Sequence, residues 1–191
     1  MLTKLARVEE ALRSRSKRDY AGARRIYEEV LDTWGPDPDV MWGLAQIDFA
    51  LSIVTSDLDG SRGQSALSWI RSAIQLNPSK PEYHLVHGTI LEHVGGTDYA
   101  EAARAYRMAI DLQPMFVPAL GQLAALHGLP ESVVSLDEAT TCCELAVKLN
   151  PTRSRWLNLG RLYGLAGREK DRDRAMINAM IEMSETVNVK Y

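Results

Sequence analysis

The sequence predicts an all-α chain built as a solenoid of about five tandem helix–turn–helix units. Three observations predict it. The heptapeptides Ser72–Pro78 (SAIQLNP), Met108–Pro114 (MAIDLQP) and Leu145–Pro151 (LAVKLNP) repeat, with their prolines 36 and 37 residues apart. An alanine precedes each proline by 12 residues, at Ala66, Ala102 and Ala139, and a second alanine recurs at Ala73, Ala109 and Ala146. No stretch of useful length alternates apolar and polar residues, which is the signature of a strand. A fixed period of this size is the mark of a repeat architecture, and it takes precedence over local propensity.

Each unit follows from its residues in turn. The first, about residues 2–36, carries Ala23-x3-Tyr27 and stops at Gly35-Pro36. Alanine favours helix and lets a neighbouring helix approach, while proline cannot continue a helix but can open the next. The second unit, 37–78, is long, because Ala23 and Ala66 are 43 residues apart. Its extra residues fall between Ser52 and Gly63, which reads as a lengthened first helix plus an exposed turn at Gly60-Ser61-Arg62-Gly63. The third unit, 79–114, places Ala102, Tyr106 and Ala109 at i, i+4 and i+7, on one helix face. Its turn is Gly95-Gly96-Thr97-Asp98. The fourth, 115–151, has an irregular turn near Pro130 to Asp137, then Ala139-x3-Cys143. In the fifth, 152–187, either Ala175 or Ala179 is the close-packing residue of the last helix.

These residues carry a family likeness. Trp156-x2-Leu159-Gly160-x2-Tyr163 matches the first half of the tetratricopeptide repeat (TPR) pattern, and Ala102-x3-Tyr106 with Pro114 matches the second half with an aromatic exchange. Ala66-x3-Ile70, Ala139-x3-Cys143 and Ala23-x3-Tyr27 fit it more loosely. The chain thus resembles the TPR family along almost its whole length, as a single domain. The resemblance implies a right-handed α-solenoid whose first helices line a concave surface that holds a peptide or partner helix.

The register places Val8 and Leu12 on that surface in the first unit. Leu44, Ile47 and Leu51 follow in the second, and Leu85, Thr89 and His93 in the third. Gln122 and Ala125 come from the fourth, Asn158 and Arg161 from the fifth. Such a lining is apolar early and polar and basic late. It suits an amphipathic helix or apolar peptide with an acidic end. Some TPR proteins grip chaperone tails with a clamp of lysine, asparagine and arginine. Only Asn158 and Arg161 resemble that pattern, and apolar residues stand where the clamp needs polar ones, so a chaperone-tail partner is disfavoured. The last helix carries Met176, Ile177, Met180, Ile181 and Met183, which with its alanines spread apolar surface over more than half its circumference. Solenoid ends need a polar outer face, so this is an expected docking edge for a second copy or a larger complex, unless the tail through Val187 and Tyr191 covers it.

Composition excludes other classes. Of 191 residues, 46% are apolar and 25% charged, and the net charge is −3. The charge is uneven: residues 1–38 carry 8 basic and 7 acidic groups, 39–152 carry 6 and 13, and 153–191 carry 8 and 5. A nucleic-acid binder needs a continuous basic face, which the acidic middle opposes. The longest apolar stretch, Val40 to Val54, is too short to span a bilayer and contains Asp48. With no visible address, the cytoplasm is the expected compartment.

Metal and catalytic signals are weak. His84 and His87 have ligand spacing, but no acidic residue joins them at helical spacing. Asp57-x-Asp59-Gly60 lacks the glutamate that closes a calcium loop. Cys142 and Cys143 read as small core residues. No phosphate loop, nucleophile elbow or dinucleotide fingerprint occurs. The expectation is therefore a non-catalytic, cofactor-free interaction scaffold or adaptor. One alternative is an RNA-processing scaffold, since Ala23-Arg24-Arg25-Ile26-Tyr27-Glu28-Glu29 with Trp42 is similar to half-a-TPR repeats. The other is a structural subunit or fragment of a larger solenoid.

Overall fold

A computed structural model describes residues 3–57, 60–94, 98–129 and 133–188, with side chains as far as 182. Among these residues there are ten α-helices and one 3-10 turn, and no strand. They are α1 (Lys4–Ser16), α2 (Tyr20–Trp34), α3 (Pro38–Val54), α4 (Ser61–Leu76), α5 (Pro81–Leu91), α6 (Tyr99–Leu112), α7 (Val117–Ala125), α8 (Leu136–Leu149), α9 (Arg153–Leu165) and α10 (Glu169–Asn188). Each of the five windows read from the sequence holds one helix pair. The fold is an all-α helical-repeat solenoid. By contacts the chain divides into two compact units, Met1–Ala105 and Tyr106–Tyr191.

Local chemistry sets the helix ends. Thr3, Asp19, Asp37, Ser135 and Thr152 each accept a hydrogen bond from a backbone N–H in the first turn of the following helix. Such caps satisfy donors that a helix leaves unpaired, and each is worth about 1 kcal/mol. Prolines occupy the first turns of α3, α5 and α7, where no N–H is needed. Gly35, at φ +82°, ends α2 in a conformation that disfavours a side chain. The long second unit has the lengthened first helix that its spacing predicts. Thr55 caps that helix, and of the turn expected at Gly60–Gly63 the residues Ser61, Arg62 and Gly63 already lie inside α4. Of the turns expected at Gly95–Asp98 and Pro130–Asp137, residues 95–97 and 130–132 fall outside the described residues, as do the side chains of Met183 and Val187 and residues Asp59 and Tyr191, while Leu136 and Asp137 already lie inside α8.

In the unit Met1–Ala105, α1, α2 and α3 pack around Ala11, Ala23, Ile26, Tyr27, Val30, Val40, Leu44 and Ile47, with Trp69 of α4 against them. The small residue at Gly43 is required there, since a Cβ would come within 2.7 Å of the Tyr27 ring. Beside this core sits a charged node. Asp48 is 1% exposed and accepts from Arg24 Nε at 2.8 Å and Ser65 Oγ at 2.6 Å, so one carboxylate joins α2, α3 and α4. The residue that breaks the apolar stretch in the sequence is thus a polar tie in the fold. Burial of a charge is tolerable because both partners satisfy it.

In the unit Tyr106–Tyr191 the repeat alanines again do the close packing. Ala109, Ala139, Ala146, Ala175 and Ala179 are all buried, so both candidates in the last helix take that role. Cys142 and Cys143 are buried free thiols, as expected of core residues. Arg107 grips Glu138 through two hydrogen bonds of 2.7 and 2.8 Å and also donates to the Val133 carbonyl. That fork holds the Glu138 carboxyl below the usual carboxylate range.

Candidate functional site

One position calibrates every first helix. Ala11, Ala45, Gly88, Ala124 and Gly160 are small and buried. The residues three before and one after it share a helix face. They are Val8 and Leu12 in α1, Trp42 and Gln46 in α3, Leu85 and Thr89 in α5, Gly121 and Ala125 in α7, and Leu157 and Arg161 in α9. All ten are exposed or half-buried. This face is the candidate binding surface within each unit.

Most residues expected on the surface lie on or beside it, but two do not. Leu44 and Ile47 are each 0% exposed and belong to the core. They stand one before and two after the small position, on the arc that meets the neighbouring helices. Trp42 and Gln46 take their place. Leu51 is also packed partly against the core. The slip arises because α3 is apolar nearly all round, so its sequence shows no polar face to set the phase.

In the first unit the face is closed by its own contacts. Arg15 Nη1 donates to Gln46 Oε1 at 3.2 Å, joining α1 to α3. Phe49 meets His93 edge-on at 5.6 Å, joining α3 to the turn just after α5. Trp42 packs at 5.9 Å from Tyr83, and Lys80 lies over both rings. Thr89 and His93 bond to the Leu85 and Thr89 carbonyls of α5. Leu12 is the apolar member left open, at 44% exposure.

His87 is the unusual group behind this face. Its Nε2 is buried with no hydrogen-bond partner among the described residues, and Glu101 Oε1 stands 3.7 Å away on α6. Burial lowers its pKa to about 4, with help from Arg71 and His84. Glu101 does not rescue the charge, because it also pairs with Arg71 at 3.7 Å. His84 Nε2 instead bonds the Pro78 carbonyl at 2.7 Å, so the two histidines do not converge on a metal. Among the described residues no three His, Cys, Asp or Glu side chains form a metal cluster.

In the second unit the face is open. Ala124, Ala125, Asn158, Arg161 and Leu162 surround a recess of about 180 Å³ with Cys143 among its walls. Ala125, Asn158 and Arg161 are exposed, and Gln122 is half-buried on the same helix as Ala125. The Arg161 guanidinium lies near Gly128. Arg161 makes no ion pair among the described residues, so its donors are available to an anion. Burial pushes the Cys143 thiol up, even with Arg161 and Arg155 nearby, which marks it as an inert wall.

The last helix has a buried and an exposed side. Ala175 and Ala179 are buried, while Ile177, Met180 and Ile181 are 57%, 68% and 49% exposed. Met176 is half-buried and its thioether packs on Gly160. No described helix is long and apolar enough to cross a membrane.

No family model and no curated protein matches the chain. Solved structures do. A crystal structure of MamA aligns with a TM-score of 0.74 at 17% identity, covering 93% of this chain and 96% of that one. TTC0263, a thermophilic TPR protein of Thermus thermophilus, aligns with a TM-score of 0.67 at 17% identity over 98% and 95% of the two chains. YrrB, described as a TPR protein with an unusual peptide-binding site, aligns at 0.66 and 15% identity over 94% and 86%. At such identities the likeness is one of backbone architecture, and it agrees with the repeat register: the chain has the tetratricopeptide-repeat fold.

Proposed function

We propose that this chain is a non-catalytic interaction scaffold that holds a peptide or partner helix on the face of its first helices. The observation that carries the reading is the open recess of the second unit, where Asn158 and Arg161 present available donors beside Ala125. An apolar segment with an acidic end fits that chemistry, because a carboxylate meets a guanidinium and an amide at one rim. The likeness to YrrB, a protein with a peptide-binding site, supports the class of ligand. The test is capture from lysate with the wild-type chain, Arg161→Glu and Leu12→Lys. A protein partner lost in Arg161→Glu supports the reading. A salt-sensitive RNA signal in place of a protein would promote the RNA-scaffold alternative.

A second reading rests on the three apolar side chains exposed on α10. A patch of this kind marks a contact surface, here for a second copy or a larger assembly. Sedimentation over a wide concentration range tests it: association is expected and should vanish in Ile177→Glu with Met180→Glu. A monomer at every concentration removes self-association.

A further inference from the structure

A different surface of the second unit carries a site that the first-helix face does not explain. α8 and α10 form two walls, and α9 lies beneath them with Trp156, Leu159 and Tyr163 as the floor. The recess has a volume of about 370 Å³, enough for one large side chain, and it is open to solvent. It uses the side of α9 that Asn158 and Arg161 do not.

Charge around the recess is asymmetric once existing pairs are counted. Glu144 already accepts from the Tyr163 hydroxyl at 2.8 Å and from Arg168 at 3.1 Å. Asp171 is taken by Arg168 at 2.8 Å. Two cations line the recess with no ion pair among the described residues, Lys148 on the α8 wall and Arg174 on the α10 wall. Three cations, Arg168, Lys148 and Arg174, thus stand against two acids, so the net charge around the recess is positive. An apolar floor between two free cations is complementary to an apolar group with negative charge beside it.

We propose that this recess binds a partner peptide by taking one large aliphatic or aromatic side chain onto Trp156, Leu159 and Tyr163, with an adjacent Asp or Glu held by Lys148 and Arg174. The aromatic floor supplies contact area at little entropic cost. A second copy of this chain is the competing occupant, and the experiment separates it.

The probe is the peptide Ac-Gly-Leu-Glu-Glu-NH2, titrated into the full isotope-labelled chain. The readout is the indole N–H signal of Trp156, identified by its loss in Trp156→Phe. The expected result is a saturable shift of that signal. Replacing the leucine of the probe by serine, or its glutamates by lysines, should weaken binding by about tenfold or more. Lys148→Glu with Arg174→Glu should do the same, and Arg161→Glu should leave it unchanged. Both cations are exposed, so the fold is expected to survive, and Lys148→Ala with Arg174→Ala gives a milder pair. The proposal is overturned if the Trp156 signal does not move at millimolar peptide, or moves equally with all three peptides. It is also overturned if both charge variants bind as the wild type does. Loss of binding in Arg161→Glu would assign the peptide to the first-helix face. A Trp156 shift on dilution without peptide would assign the recess to a second copy.

Discussion

The first-helix faces of the two units obey one register yet reach opposite states. In the unit Met1–Ala105 most polar groups on that face are spent within the chain, Arg15 on Gln46 and Thr89 and His93 on nearby backbone carbonyls, while the Trp42 indole N–H is buried with no partner among the described residues. In the unit Tyr106–Tyr191, Asn158 and Arg161 keep their donors and stand at the rim of a recess. Fold position alone therefore does not make a binding residue. A side chain already satisfied must break a contact to take a ligand, whereas a free one gains the full interaction.

The largest expected effect comes from the core behind the closed face. Leu44→Lys puts a charge where no water reaches and should cost about 5 kcal/mol, enough to unfold the chain in a thermal melt. A folded variant that had lost partner capture would return Leu44 to the surface and break the contrast. Leu85→Lys, on a half-buried surface position, should keep the fold.

Acid should act on the same unit through His87. Its folded pKa of about 4 lies below its unfolded value near 6.5. The unfolded chain therefore binds the proton first, so stability is full above pH 6.5 and falls as the pH drops toward 4. The loss approaches about 3 kcal/mol, and His87→Gln should remove that slope from urea titrations at successive pH values. An unchanged slope would mean that the unpaired imidazole is not the group responsible. In the other unit Glu138, held low by Arg107, should give a loss only below its ordinary range, at more acid pH.

Arg24→Ala should cost about 2 kcal/mol. It leaves the Asp48 carboxylate buried with only Ser65, although Arg24 is itself one-third exposed, which limits the effect. Arg161→Ala should change stability by less than about 0.5 kcal/mol, because the side chain is exposed and makes no described ion pair. If Arg161→Ala destabilised the fold as much as Arg24→Ala, the open face would serve structure no less than the closed one.

What could be read from the sequence follows from what needs only one helix. The alanine and proline spacing gave the helix pairs, because close packing and chain reversal recur at fixed residues such as Ala66, Ala102 and Ala139. Leu12, Ala125 and Arg161 took their faces from helices with a polar side, and Leu85 and Thr89 from the repeat spacing, since α5 is no more amphipathic than α3. The face of α3 was illegible, since Val40 to Ile47 offers Gln46 as its sole polar residue and Leu44 looks as exposable as Trp42. Contacts between helices left no local trace. Glu101 meets His87 from α6, and the recess over Trp156 exists only where α8 and α10 wall it. The pairs that make Arg161 free and Arg168 occupied depend on the same three-dimensional arrangement.

The Asp48 node has a consequence for how the array melts. Repeat arrays behave as a row of modules whose cooperativity lies in the coupling between neighbours. Arg24 belongs to the first repeat, and Asp48 and Ser65 to the second, so one carboxylate is shared across their junction. The first repeat is clamped to the second by an ion pair that opening of α2 alone would break. Amide protons of α2 should therefore exchange at the rate of α3 and α4, as a single block, and not at the faster rate expected of a terminal module.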